Sequence, residues 1–240
     1  MINKYPAKFS DEFGDEKTTI YNDGKCLRMV VRDVEFIGSD FHGFDPVTGT
    51  DEAKLKQFNL FLGELCAYVL DCEIPILVIS NDRIFEEKLH AHIEYGEPVE
   101  TGKGTTIHRR DGSIVQDPHH QIRHEVLHFQ LTFQGRLFKT SGKVRYASFD
   151  EQLTELQALL PPAVYLKICW NCAFSDYSPA GSGVFGNMAC FRDCKAAYQA
   201  VKTKKELFEI WSKRAEDVQE IYLCSEFEKR PSGIGGLYMG

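Results

Sequence analysis

The chain has no long hydrophobic run. A bilayer-spanning helix needs about 20 consecutive apolar residues, and no stretch of the 240 residues comes close to that, which excludes an ordinary membrane-spanning helix. The opening Met1-Ile2-Asn3-Lys4-Tyr5-Pro6 is soon followed by Ser10-Asp11-Glu12 and Asp15-Glu16, so the apolar core of a signal peptide is missing. A cytoplasmic protein is the expectation. Positive charge is also in short supply: 28 Lys and Arg stand against 35 Asp and Glu, a formal net charge of -7. Nonspecific affinity for nucleic acid depends on an excess of basic side chains over phosphates, so that class is disfavoured and a basic partner is favoured. Internal repeats and low-complexity blocks are absent. What remains is a hydrophobic fraction of 43% with 12% aromatic residues, enough to build the core of one large domain or two small ones.

Most of the chain reads as β structure. Asp23-Gly24 is a tight-turn signal between Thr18-Thr19-Ile20-Tyr21 and the β-branched and aromatic run from Lys25 to Ile37. Between Thr50 and Leu70, the residues Leu55, Phe58, Leu62, Leu65 and Val69 recur at spacings of three and four, which predicts one amphipathic helix crossing the sheet. Cys66 beside that face reads as a small buried hydrophobe. Ile74–Ser80 follows as a buried strand, and from Ile84 to Lys143 the pattern is an antiparallel meander, with Asp111-Gly112 as a turn and Phe129, Leu131 and Phe133 alternating with polar residues. Ser148-Phe149-Asp150-Glu151 has the form of a capping box, after which Leu153, Leu156 and Leu160 line a helix that Pro161-Pro162 ends. That helix marks the expected boundary between residues 1–147, a β-rich domain, and residues 148–240, a cysteine-rich module. The module reads as strands at Val164–Ile168 and Met188–Phe191, a helix opened by Thr203-Lys204-Lys205-Glu206 with Leu207, Ile210, Trp211 and Val218 on its buried side, and a last strand at Glu220–Leu223. The fold class expected is α+β.

Five thiols fall in this module: Cys169 and Cys172 as C-x-x-C, then Cys190, Cys194 and Cys224. Clustered cysteines in a reducing compartment serve as metal ligands or redox groups more often than as disulfides. The C-x-x-C pair can turn both sulfurs toward one ion, and a remote pair, Cys190 with Cys194 or Cys190 with Cys224, would close a tetrahedron. Zinc is the expected ion, in a structural role, because four protein sulfurs leave no open position for water; an iron–sulfur cluster would use the same sulfurs. A thioredoxin-like role would need the C-x-x-C at a helix N-terminus, whereas Ala173-Phe174-Ser175-Asp176-Tyr177-Ser178-Pro179 reads as a loop.

These residues carry a resemblance. Cys169-Trp170-Asn171-Cys172-Ala173-Phe174-Ser175-Asp176-Tyr177, then Cys190-Phe191-Arg192, then Cys224-Ser225-Glu226-Phe227 resemble the C-terminal signature of a family of uncharacterised bacterial proteins, C-x-x-C-x-(Phe/Tyr)-Ser-Asp-Tyr, Cys-(Phe/Tyr)-Arg and Cys-x-Glu-Phe. The resemblance implies that Cys169, Cys172, Cys190 and Cys224 form the metal set and that Cys194 is an extra. It implies no activity.

Other candidates are thinner. His119, His120, His124 and His128 suggest a metal-dependent hydrolase, with Glu125 or Asp117 as a carboxylate partner, but on a strand a step of four residues spans about 13 Å, too far for His120, His124 and His128 to share an ion. Asp176 reads as a carboxylate capping turn amides, and Arg192 as a donor to the Cys190 sulfur, a group for an acidic partner, or a solvated side chain. Gly181-Ser182-Gly183 lacks the Lys and the strand-to-helix setting of a phosphate loop. A nucleic-acid-binding zinc module would gather Lys195, Lys202, Lys204 and Lys205 on one face, and Glu206 and Glu209 interleave with them. The expected function is therefore a non-enzymatic protein-binding protein with a structural four-cysteine zinc site, engaging another protein through an acidic face as immunity proteins do.

Overall fold

A computed structural model describes residues 2–100, 105–108, 113–117, 120–122, 125–142, 148–181 and 184–230. The fold begins with two meanders. β1 (Asn3–Asp11), β2 (Gly14–Asn22), β3 (Leu27–Val31), β4 (Val34–Gly38) and β5 (Phe44–Pro46) pair in sequence, and β8 (Tyr68–Ser80), β9 (Arg83–Tyr95), β14 (Glu125–Phe133) and β15 (Arg136–Lys139) do the same. Antiparallel pairing of β1 with β8 joins them into one sheet of order β15-β14-β9-β8-β1-β2-β3-β4-β5. Small ribbons lie off this sheet: β6 (Leu60–Phe61) with β7 (Glu64–Leu65), β10 (Pro98–Glu100) with β13 (His120–Ile122), and β11 (Thr105–His108) with β12 (Ile114–Asp117).

The alternation that predicts half-buried strands holds. Phe129, Leu131 and Phe133 face the core, as do Tyr68, Leu70, Cys72, Ile74, Ile76 and Val78 of β8, while their neighbours face outward. Pro75 falls between the stretch of β8 that pairs with β1 and the stretch that pairs with β16 (Val164–Leu166), where a missing amide proton breaks no bond on that side. The Asp23-Gly24 turn is present: the Asp23 carboxylate accepts the amides of Lys25 and Cys26, and Gly24 takes φ +89°. The run from Lys25 to Ile37 is not one strand, however. It folds back at Arg32-Asp33, both in the left-handed region, to make the β3–β4 hairpin.

The helix expected over Thr50–Leu70 is replaced by one four-residue turn, α1 (Glu52–Leu55), capped by the Asp51 carboxylate. Leu62 (φ 52°) and Gly63 (φ 90°) then form a hairpin tip between β6 and β7. Two consecutive positive-φ residues end any helix, and the three-and-four spacing of Leu55, Phe58 and Leu65 is met by a turn and a short ribbon that bury Phe58 and Leu65. The described N-terminal residues therefore contain no crossing helix. The molecule is mostly antiparallel sheet with a few helices.

In the C-terminal part, α2 (Phe149–Leu159) starts where expected, with Ser148 Oγ accepting the Glu151 amide at 3.3 Å, and buries Phe149, Leu153 and Leu156 against the sheet. β17 (Ser175–Tyr177), β18 (Met188–Cys190) and β19 (Glu216–Val218) form a second sheet. Two helices connect β18 to β19: α3 (Lys195–Ala200), which the pattern does not suggest, and α4 (Lys204–Ile210), opened by the Thr203/Glu206 capping box. A tight turn at Trp211–Lys213 ends this helical stretch, so Val218 belongs to β19 rather than to a helix face. No strand forms at Glu220–Leu223; Cys224 sits on an irregular segment held by backbone bonds to residues 169–173. One hydrophobic core runs from Tyr5 through Phe149 and Trp170 to Cys224, and β16 pairs with β8 across the position of the expected domain boundary.

Candidate metal centre and the open face of the sheet

Backbone pairing brings the segments that carry the thiols alongside one another. The Cys172 amide donates to the Cys169 carbonyl at 2.9 Å, closing the C-x-x-C into a tight turn. Cys169 donates its own amide to the Tyr222 carbonyl at 3.0 Å and Trp170 to the Glu220 carbonyl at 2.9 Å, so the segment leading to Cys224 lies alongside the turn. Cys190 ends β18 opposite Ser175, three residues beyond Cys172. All four of these cysteines are buried. Burial first, and then the nearness of Cys172, Cys190 and Cys224, raises the Cys169 thiol well above its ordinary range. Cys190 is raised chiefly by burial as well, against the pull of the Arg192 amide and guanidinium. Donors to sulfur are in place: the Glu226 amide lies 3.3 Å from Cys224 Sγ, and Arg192 Nη1 lies 3.8 Å from Cys190 Sγ while also binding Glu216 at 2.5 Å. Cys194 stands apart, its thiol donating to the Lys213 carbonyl. Among the described residues no group of three or more His, Cys, Asp or Glu side chains is placed so that it could hold a metal ion.

Asp176 is buried in β17, where it accepts the Tyr177 amide at 2.9 Å and the Tyr198 hydroxyl at 3.1 Å, a local structural role close to the capping one expected. Burial pushes the Cys66 thiol up to about 11, as befits a small buried hydrophobe. Lys195 pairs with Glu228 at 2.7 Å and Lys202 reaches the Gln199 carbonyl, so two of the four lysines suggested for a nucleic-acid surface are engaged within the module.

The histidine series separates. His119 and His124 lie outside the described residues, and so do the turn residues Asp111-Gly112 and the pair Ser182-Gly183. His120 is in β13, on a ribbon with β10, whereas His128 is in β14 of the main sheet. The neighbours of His128 come from elsewhere in the chain. Across the outward face, Lys17, Lys8, Asp71, His92 and His128 are successive cross-strand partners on β2, β1, β8, β9 and β14. His92 Nδ1 lies 2.7 Å from Asp71 Oδ1 and His92 Nε2 lies 3.1 Å from Glu94 Oε1. Partial burial works against the charged imidazole, and the bonds to Asp71 and then Glu94 more than offset it, holding His92 above its ordinary range. The His92 and His128 rings are 6.0 Å apart, and His128 Nδ1 is buried with no partner among the described residues. Beside them a groove of about 500 Å³ is lined by Lys8, Lys17, Glu73, His90, His92 and Gln130 among others. The sequence carries one signal for this arrangement that the reading of His119 to His128 passes over: His90-Ala91-His92, two imidazoles on one side of a strand.

Comparison with known proteins adds a family and no activity. A family described as a family of unknown function (DUF6304) matches residues 3–175, and the chain belongs to it. The matched region contains Cys169 and Cys172 and stops before Cys190 and Cys224. No curated protein and no solved structure matches the chain. No helix among the described residues is long and apolar enough to cross a membrane.

Proposed function

We propose that this is a non-enzymatic protein-binding protein whose C-terminal module is held by one structural zinc ion on Cys169, Cys172, Cys190 and Cys224. The reading rests on one observation above all: the three stretches of chain that carry these four buried thiols run side by side, the Cys169 turn bonded to the Tyr222 and Glu220 carbonyls and Cys190 paired opposite Ser175, with an amide and a guanidinium directed at two of the sulfurs. Four neutral thiols would pack there as small apolar groups. A divalent cation would convert them to thiolates, and the Glu226 amide and Arg192 would then offset part of the added negative charge. Such a site contributes on the order of 10 kcal/mol to folding, which suits a segment as poor in regular structure as residues 219–230. A closed thiolate set supplies cohesion rather than a reaction, and with a net charge of -7 the partner favoured is a basic protein surface.

The test is elemental analysis of the purified chain after dialysis against a weak chelator, combined with Cys169→Ser. One tightly held zinc per chain, lost together with solubility in the variant, is the expected result. A metal-free chain whose thiols react freely with a thiol reagent without loss of fold overturns the zinc site. A stoichiometric basic partner released by added salt is the expected outcome of affinity isolation with the intact chain.

A further inference from the structure

We infer that the outward face of the main sheet carries a second, separate site for a first-row divalent transition-metal ion, with His92, Glu94 and His128 as its ligands and Asp71 as the group that orients His92. This goes beyond the thiolate reading and does not depend on it. Three features point to the same spot. First, His92 and Glu94 sit two residues apart on β9, so both side chains leave the same side of the strand. The His92 Nε2 to Glu94 Oε1 distance is 3.1 Å. Two donors that each lie about 2.0–2.1 Å from one tetrahedral ion are roughly 3.3 Å apart, so this pair needs almost no rearrangement to straddle a cation.

Second, His128 is the direct cross-strand partner of His92. Two imidazoles on one tetrahedral ion place their ring centres roughly 5 Å apart, and the observed 6.0 Å leaves about 1 Å to be closed by side-chain rotation. This shortfall is consistent with the lack of a ready-formed three-ligand cage among the described residues. Among the described residues nothing pairs with the buried Nδ1 of His128.

Third, the shell behind the ligands has the form that metal-bound histidines use. A ligating imidazole donates its other ring N–H to a carboxylate, which sets its tautomer and angle, and His92 Nδ1 already lies 2.7 Å from Asp71 Oδ1. On loading, the cation takes the place of the proton that His92 shares with Glu94, and that proton leaves to solvent. Two borderline imidazoles beside one hard carboxylate suit zinc, iron(II) or cobalt(II) rather than calcium or magnesium. With three protein ligands a coordination position stays open toward the exposed sheet face.

Cobalt(II) separates this site from the thiolate one, because a sulfur ligand adds a charge-transfer band that nitrogen and oxygen ligands do not. The intact chain, dialysed against a chelator, is titrated with Co2+ while visible and near-ultraviolet absorption are followed. The expected result is an equivalent of cobalt bound at micromolar concentration with ligand-field absorption and no sulfur charge transfer. His128→Gln and Glu94→Gln should each weaken that step about 10–100-fold. His90→Gln, on a half-exposed ring directed toward Glu73, should change it less than about twofold. Circular dichroism of each variant verifies the fold, and the exposed Glu94 makes Glu94→Gln the change least able to disturb it. The inference is overturned if every bound cobalt shows the sulfur band, if both variants bind as the parent chain does, or if His90→Gln loses as much as His128→Gln. A chain that keeps zinc at its thiolates and binds no cobalt beyond it leaves the structural-zinc reading standing and removes this one.

Discussion

At the scale of single residues, the most consequential group is Glu220. It is fully buried, accepts the Gly186 amide at 2.7 Å and the Tyr177 hydroxyl at 3.0 Å, and burial pushes its carboxyl up to about 7. A carboxyl whose folded value lies above its unfolded one binds its proton more tightly when folded. Its contribution to stability is therefore complete below about pH 4.5 and is lost as the pH rises through about 7. Thermal melting between pH 4 and 8.5 should show a decline between about pH 4.5 and 7 that Glu220→Gln flattens, by an amount on the order of 3 kcal/mol. An unchanged pH profile in the variant would show that another group is responsible. Gly142 offers a second residue-scale prediction. Its φ is +64°, and a Cβ there would sit 2.0 Å from His128 Cε1. Gly142→Ala should cost about 1–2 kcal/mol in a chemical-denaturation experiment, since the left-handed backbone and the displaced ring both add to the penalty.

At the scale of elements, the hairpin tips carry unusual chemistry. Arg32-Asp33 and Asn81-Asp82 each place two consecutive non-glycine residues at positive φ. Turns of this hand match the twist of the flanking strands, and glycine at the second position relieves the strain. Asp82→Gly converts Asn81-Asp82 into the favoured Asn-Gly pair at the exposed β8–β9 tip, and should raise stability by a few tenths of a kcal/mol up to about 1. A fall in melting temperature would contradict that turn assignment. Arg32 is held at its own tip by more than backbone geometry, through its guanidinium bonds to Asp11, the Gly14 carbonyl and the Gln57 carbonyl. Helix α4 depends on its cap in the same local way. Thr203→Ala removes the bond from the Glu206 amide to Thr203 Oγ1 and should cost about 1 kcal/mol, visible as faster amide exchange in residues 204–210.

Element type is readable where the cue is local. The capping motifs at Ser148 and Thr203, the Asp23-Gly24 turn and the alternation in β14 all depend on residues within a few positions of one another. The helix predicted over Thr50–Leu70 does not form because the three-and-four spacing takes no account of Gly63, and because Leu62 at positive φ has no sequence signature. Val218 departs from its predicted helix for the same kind of reason: the periodic match runs on past Lys213, where the helical stretch ends.

At the scale of the whole molecule, Phe149 sits where the parts meet. Its ring is stacked on Phe41 at 5.1 Å, meets Phe129 edge-on at 5.0 Å and lies 4.6 Å from Phe185, joining the β4–β5 loop, β14, α2 and the approach to β18. Phe149→Ala should cost about 3–5 kcal/mol. Because the core is continuous from Tyr5 to Cys224, the loss should appear as one earlier transition, followed alike by the fluorescence of Trp170 and Trp211 and by far-ultraviolet circular dichroism of the sheet. Two resolved transitions would instead support a division of the chain between residues 147 and 148. The buried bond from the Asn22 amide group to Gln219 Oε1, at 2.6 Å, ties the first hairpin to the C-terminal segment and supports a single unit.

By itself the sequence determined the predominance of antiparallel strands, the caps of two helices, the lack of a long apolar helix and the clustering of five cysteines in the last third. Those properties follow from spacing and local chemistry along one stretch of chain. Only the tertiary structure decided which strands lie side by side, and hence that His128 faces His92 rather than joining His120, and that a turn at Cys169 lies beside the irregular segment bearing Cys224. The physical reason is register. Contacts between strands far apart in sequence are chosen by the burial of a shared face, and shifting the pairing by one residue would turn every one of those side chains to the opposite side of the sheet.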